Sequence, residues 1–186
     1  MIINGQITGL EENFIFVKNN NITYEIETPN TAFFEVGKEY DVFCRFFLKE
    51  DTMRIFGFID RINLLVFNTL NNITGIGPKI SLNILRMLTI NEIFSSVKNN
   101  DNSIFLNIPL VNESTSIQIV SKLKKILHKC EDKIEPLLFT NFTLIKNILK
   151  SIGYQEKDIT NIYTLLIPSM SIEENIKIAI KGMKNG

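Results

Sequence analysis

The sequence predicts an α+β chain with an N-terminal five-stranded β-barrel, a central all-α domain and a C-terminal three-helix unit. Three observations carry that expectation. Five short strand-like stretches separated by turn residues fill the first sixty positions. At Ile62 the apolar period changes from two to about 3.6 and stays there. Glu131 to Asn141, with Pro136, then interrupts the helical part with a charged and polar break. The expected division is a barrel over 1–61, a helical domain over 62–130, a linker over 131–141 and a helical unit over 142–186.

Strands are expected over Ile2 to Thr8, Asn13 to Lys18, Ile22 to Thr28, Glu39 to Leu48 and Thr52 to Phe58. The third alternates, with Ile22, Tyr24 and Ile26 on one face and Thr23, Glu25 and Glu27 on the other, the pattern of a half-buried strand. Turns fall at Glu11-Glu12, Asn19 to Asn21, Pro29-Asn30 and Lys49 to Asp51. Five strands of this length suit a small barrel of the oligonucleotide-binding (OB) type. Phe43, Phe46, Phe47, Phe56 and Phe58 could stack on bases, but in so small a barrel most are expected to fill the interior.

Helices follow over Ile62 to Asn71, Lys79 to Met87, Asn91 to Lys98, Asp101 to Leu106 and Ser114 to His128, with Thr89 and Asn91 as caps. Between the first two lies Thr74-Gly75-Ile76-Gly77-Pro78-Lys79. Two glycines one residue apart let the backbone take φ > 0 or come close to a ligand, and Pro78 opens a helix where its missing N–H is not needed. Amides exposed at that helix N-terminus suit a phosphate, and Lys79 adds a full positive charge. If the domain is a tandem of this helix-turn-helix unit, the second turn falls at Ile108 to Glu113, where both glycines are missing. Asn112 can still adopt a left-handed conformation and Ser114 can cap the next helix, so the turn is expected to keep its shape. Glu113 has the wrong sign for a phosphate.

In the tail, Leu144, Ile145, Ile148, Leu149 and Ile152 form an apolar stripe ended by Gly153, and Ile159, Ile162, Tyr163 and Leu166 a second ended before Pro168. Ser171-Ile172-Glu173-Glu174 reads as a capping box for a third helix carrying Ile176, Ile180 and Met183. A unit this small cannot enclose a substrate, so it reads as a docking module.

Composition narrows the function. Net charge is zero, but residues 61–125 hold 7 Lys or Arg against 3 Asp or Glu, while residues 1–60 hold 5 against 10. The basic surplus therefore sits with the glycine turn. Cys44 and Cys130 lack metal-ligand or C-x-x-C spacing and are expected to be buried thiols. His128 is the only histidine. Histidine-based catalysis and metal binding are therefore not expected, and nothing points to a cofactor. With no long apolar run and no signal-peptide pattern at Met1, the chain is expected to be cytoplasmic and off the membrane.

The order of parts, with Lys49-Glu50-Asp51 leading to Ile55-Phe56-Gly57-Phe58, the turn Thr74 to Lys79, and a tail containing Leu149 to Tyr154, resembles the RuvA family along essentially the whole chain. Those are bacterial Holliday junction branch-migration subunits. The resemblance implies a non-catalytic, DNA-binding protein of recombination and repair with a tandem helix-hairpin-helix domain and a UBA-like tail. It further implies a homotetramer, or an octamer of two, that holds a four-way DNA junction open and recruits the RuvB ATPase, with the RuvC resolvase as a further partner. On this basis Thr74, Gly75, Ile76, Gly77 and Lys79, with Asn112, Ser114 and Thr115 of the second turn, are the expected DNA contacts. Glu50 and Asp51 match the acidic pin that projects at the tetramer centre and repels phosphates. Leu149, Ile152, Tyr163, Leu166 and Ile176 are the expected RuvB contacts. The second turn departs from the family, which usually has a second Gly-x-Gly followed by lysines. Two other classes compete: a single-strand-binding OB protein and a helix-hairpin-helix repair enzyme. The first leaves the tail unexplained, and the second would not begin with this barrel.

Overall fold

The computed structural model describes residues 1–49, 52–135, 141–155, 159 and 171–184. It divides into two compact units, Met1–Lys125 and Ile126–Gly186. Five strands open the first unit: β1 (Ile2–Leu10), β2 (Phe14–Asn19), β3 (Ile22–Glu27), β4 (Glu39–Lys49) and β5 (Thr52–Phe58). They close into a barrel in the order β1-β2-β3-β5-β4. The first and fourth strands pair antiparallel from Ile2↔Phe43 to Gln6↔Glu39, and β3 meets β5 in parallel at Glu27↔Phe56. Closure leaves no free sheet edge on which another chain could pair.

Side-chain alternation decides what fills the barrel. Ile3, Ile7, Ile15, Val17, Ile26, Val42, Cys44 and Ile55 point inward and are buried together. Desolvation in that interior pushes the Cys44 thiol up to about 12, so it behaves as a small apolar group rather than a nucleophile. On β5, Ile55 and Gly57 face inward, and a Cβ on Gly57 would lie 2.4 Å from Ile26 Cγ2 and 2.8 Å from Val42 Cγ1. Phe56 and Phe58 consequently face outward, and this corrects the expectation that they fill the interior. Both are fully buried, but against the following helix.

That helix is α1 (Arg61–Asn71). Its Phe67 ring lies 5.3 Å from Phe56 and 4.8 Å from Phe58, and Phe47 stands edge-on to Phe56 at 5.4 Å. Of the other rings, Phe46 packs on the barrel core, while Phe43 lies under the Arg61 guanidinium at 5.6 Å. Asp60, buried, caps α1 by accepting from the Asn63 amide at 2.8 Å.

The next helices are α2 (Pro78–Met87), α3 (Ile90–Asn99), α4 (Ser103–Leu106) and α5 (Glu113–Glu135). Thr89 forms a reciprocal capping box with Glu92 at the start of α3, so Asn91, the other expected cap, lies inside the helix. The fifth helix runs past His128 to Glu135, through the first part of the stretch that composition marks as a linker.

The second unit contains α6 (Asn141–Ser151) and α7 (Ile172–Lys184) around Ile145, Leu149, Ile159 and Ala179. Gly153, at φ +99°, ends α6 as expected: its amide donates to Lys150 O at 3.0 Å and that of Tyr154 to Leu149 O at 3.1 Å. Ser171 and Glu174 make the expected box, the Glu174 amide donating to Ser171 Oγ at 3.2 Å and the Ser171 amide to the Glu174 carboxylate at 3.0 Å. Of the middle stripe only Ile159 is described; Ile162, Tyr163 and Leu166 lie outside the described residues.

Candidate nucleic-acid interface

Two turns in the first unit share one hydrogen-bond pattern, displaced by 35 residues. In the first, the Ile73 amide donates to Leu70 O at 3.0 Å, Ile76 to Ile73 O at 3.0 Å, and Ser81 to Gly77 O at 3.0 Å. In the second, Ile108 donates to Phe105 O at 3.1 Å, Val111 to Ile108 O at 3.1 Å, and Ser116 to Asn112 O at 2.9 Å. Burial repeats with the bonds: Ile73 and Ile108, Ile76 and Val111, Ser81 and Ser116, Ile84 and Ile119 are all buried. The apolar pairs anchor each turn from beneath, so the residues between them are held outward.

The first turn is built to be approached. Thr74, Gly75 and Lys79 are exposed. Gly75 takes φ +86°, which only glycine adopts without strain, and a Cβ at Gly75 or Gly77 would meet nothing within 4 Å. Gly77 caps α2 with no side chain, and Pro78 is the first helical residue. The amides of Gly75, Gly77, Lys79 and Ile80 therefore have no acceptor among the described residues. Ile76 is different: it is buried, and its amide is used within the turn, so of the expected contacts it serves as an anchor.

The second turn has the same path and different chemistry. Leu110 stands in the place of Gly75, at φ +69°, and is 84% exposed. A left-handed leucine costs roughly 1–2 kcal/mol. Asn112 stands in the place of Gly77 and is the cap, its Oδ1 accepting from the Thr115 amide at 2.9 Å and the Thr115 hydroxyl at 3.0 Å. This corrects two expectations: the left-handed residue is Leu110 rather than Asn112, and the cap is Asn112 rather than Ser114. Register also moves the charge argument, because Glu113 matches Pro78 while Ser114 matches Lys79. The amide of Thr115, whose counterpart Ile80 is open in the first turn, is already satisfied. Ser116 Oγ accepts from Asn102 Nδ2 at 2.7 Å and donates to Glu113 O at 2.7 Å, tying the buried side of the turn to the start of α4.

A polar junction that sequence alternation misses holds the first turn to the barrel. Glu27, placed by its strand pattern on an open face, is buried, and its carboxylate pairs with Arg54 of β5 and with Arg86 of α2, the latter at 3.3 Å. No local signal marks this pair, since its partners lie 27 and 59 residues away.

Other expected site residues separate. Glu50 and Asp51 lie outside the described residues, as do Tyr163 and Leu166. Leu149 is fully buried in the core of the second unit, which removes it as a surface contact for a partner. Ile152 is 54% exposed and Ile176 is half-buried against that core. Among the described residues no group of three His, Cys, Asp or Glu side chains could hold a metal ion, and no helix is long and apolar enough to cross a membrane.

Known proteins are similar to this chain in sequence along nearly its whole length. Residues 1–57 match the model of the RuvA N-terminal domain. Over 184 residues the chain is 33% identical to the Holliday junction branch migration complex subunit RuvA of Phytoplasma mali (strain AT), covering 98% of this chain and 97% of the relative. It is 30% identical to the subunit of the same name from Staphylococcus haemolyticus (strain JCSC1435), covering 97% of each. Identity to that of Finegoldia magna (strain ATCC 29328 / DSM 20472 / WAL 2508) is 31%, covering 96% and 95%.

Proposed function

The chain belongs to the RuvA family, and from that premise we propose that it is the DNA-binding subunit of a Holliday junction branch migration complex. It would act in recombination and repair without a catalytic site of its own, ATP hydrolysis residing in a RuvB partner. The observation that carries this is the open first turn, Thr74 to Lys79. Several unpaired amides and one exposed lysine at a helix N-terminus offer a phosphate an oriented, positively charged seat that reads no sequence. Burial of Phe56 and Phe58 beneath α1 argues against the single-strand reading, because rings used as packing are withdrawn from base stacking.

One such turn per chain is a weak grip, so the proposed active form is a tetramer, in which copies of the turn act on several arms together. An exposed apolar groove lined by Met1, Ile2, Phe43, Leu64 and Leu65 supports self-association. Glu50 and Asp51 are proposed as the acidic pin, where like charge would keep duplex backbone from the centre. The second unit is proposed to recruit RuvB through Ile152, Tyr163, Leu166 and Ile176. A cytoplasmic location and association with RuvC belong to the same proposal.

A mobility assay with four-way junction, duplex and single strand of equal length, with mass measured by light scattering, tests it. The expected result is preference for the junction by an oligomer of four or eight chains. Equal affinity for all three DNAs, or junction binding by a monomer, would refute it.

A further inference from the structure

We propose that Leu110 is an apolar DNA contact, seated against the deoxyribose edges of the minor groove of a duplex arm, and that the second turn positions DNA without gripping phosphate. The proposal rests on the DNA-binding reading of the first turn and adds to it a residue and a mode of contact. Leu110 carries two liabilities at once: a left-handed backbone and 84% exposure of a large apolar side chain. No other described residue combines them. The remaining non-glycine residues with positive φ are Asn20 and Asn100, of a type that tolerates it, and other exposed apolar residues such as Leu48, Leu106 and Ile117 have ordinary φ. A residue kept in a sparsely populated conformation by its surroundings points to use.

Its surroundings say what it meets. Ile108 and Val111 are buried on either side, so the side chain is presented outward and does not turn into the core. No Lys or Arg occurs between Asn107 and Ser121, Glu113 contributes a negative charge, and Asn112 occupies an amide that a phosphate would use. A phosphate is therefore the wrong ligand. By repeat register Leu110 holds the place of Gly75, which in the first turn is where backbone would approach DNA. What a duplex offers an uncharged apolar side chain near its backbone is the sugar surface lining the minor groove, against which a leucine can pack without inserting between base steps as apolar wedges do.

The test measures junction affinity, its salt dependence and melting temperature for Leu110→Asn, Leu110→Met and Lys79→Ala beside the parent. Asparagine relieves the backbone while removing the apolar contact. Leu110→Asn is expected to melt higher yet bind about fivefold more weakly, the order expected for losing part of a buried leucine contact. The slope of log affinity against log salt should not change, because no counterion is involved. Leu110→Met should bind like the parent. Lys79→Ala should weaken binding and flatten the slope; if it does neither, the DNA reading of the first turn fails by itself. If Lys79→Ala behaves as expected but Leu110→Asn binds as tightly as the parent, or alters the slope, the inference is overturned. Unchanged DNA binding with lost RuvB-driven migration would assign Leu110 to a protein partner and overturn it equally.

Discussion

Leu110 and Gly75 occupy one position in a repeated turn, at φ +69° and +86°, with buried residues beneath both. The repeat is thus kept by its framework of Leu70, Ile73 and Ile76 against Phe105, Ile108 and Val111, and not by its glycines. The two glycine positions of the first turn then have separable roles. At Gly75 a side chain is strained, and Gly75→Ala should cost about 1 kcal/mol of stability. Gly77 has extended backbone, φ −99° and ψ −179°, and open space around it. Gly77→Val should therefore melt within a degree or two of the parent and lose junction affinity, by blocking close approach alone. A normal affinity for Gly77→Val would show that nothing approaches there.

Register also identifies the substitution that would convert the second turn. Because Ser114 matches Lys79, Ser114→Lys with Leu110 retained should tighten binding at moderate salt and steepen the salt slope by roughly 0.9 for each new phosphate contact. Glu113→Lys, at the position of Pro78, should steepen it less. Titrations of junction binding across a salt series decide between the two, and equal slopes for both variants would break the proposed register.

Glu27 joins Arg54 and Arg86, and removal of its charge leaves two guanidinium groups short of a partner. Glu27→Gln should destabilise the first unit by about 2 kcal/mol, and Arg86→Met by less, because Arg54 still pairs. Denaturant unfolding followed in both single variants and the double variant measures the coupling; additive losses would mean that the groups act independently.

Asp60 gives a pH signature. Burial raises its carboxyl above the ordinary 3.8, with hydrogen bonds from Asn63 opposing the shift. The folded state thus holds this proton more tightly than the unfolded chain. Its contribution to stability is complete below 3.8 and is lost as pH rises through the raised value. Asp60→Asn retains an acceptor for the Asn63 amide and never ionises. Relative to the parent, its stability should improve as pH rises from about 3.8 and then level off. A difference independent of pH would exclude Asp60 as the source.

If the second unit recruits RuvB, a chain ending at Glu135, where α5 ends, should form the same oligomer and bind junctions with unchanged affinity, but should not support ATP-driven migration. Branch-migration assays with RuvB supplied read this directly. Full activity of the shortened chain would remove the role proposed for the tail.

Strand and helix positions were legible because they depend on local periodicity, and Thr89, Gly153 and Ser171 terminate helices by rules that span only a few residues. The first turn was legible for the same reason. Three features were not. Phe56 and Phe58 have the residue type of a core but not its address, since whether they face into the barrel or out of it depends on Gly57 facing inward beside them. Glu27 gained its partners from 27 and 59 positions away, beyond any local pattern. In the second turn, asparagine's tolerance of left-handed backbone points to Asn112, but tertiary anchoring by Ile108 and Val111 overrides that preference and places the left-handed residue at Leu110.

The first turn is fastened on both flanks: α1 through Phe67 among Phe47, Phe56 and Phe58, and α2 through Arg86 on Glu27. An apolar wedge and an ionic strut, each rooted in the barrel wall, leave the intervening loop little freedom to search. The entropy of aiming its amides is thus surrendered during folding and need not be surrendered again on encounter. If this turn is the DNA contact proposed above, capture of a duplex arm there is a rigid docking event, whose speed follows diffusion and charge instead of the pace of a loop rearranging.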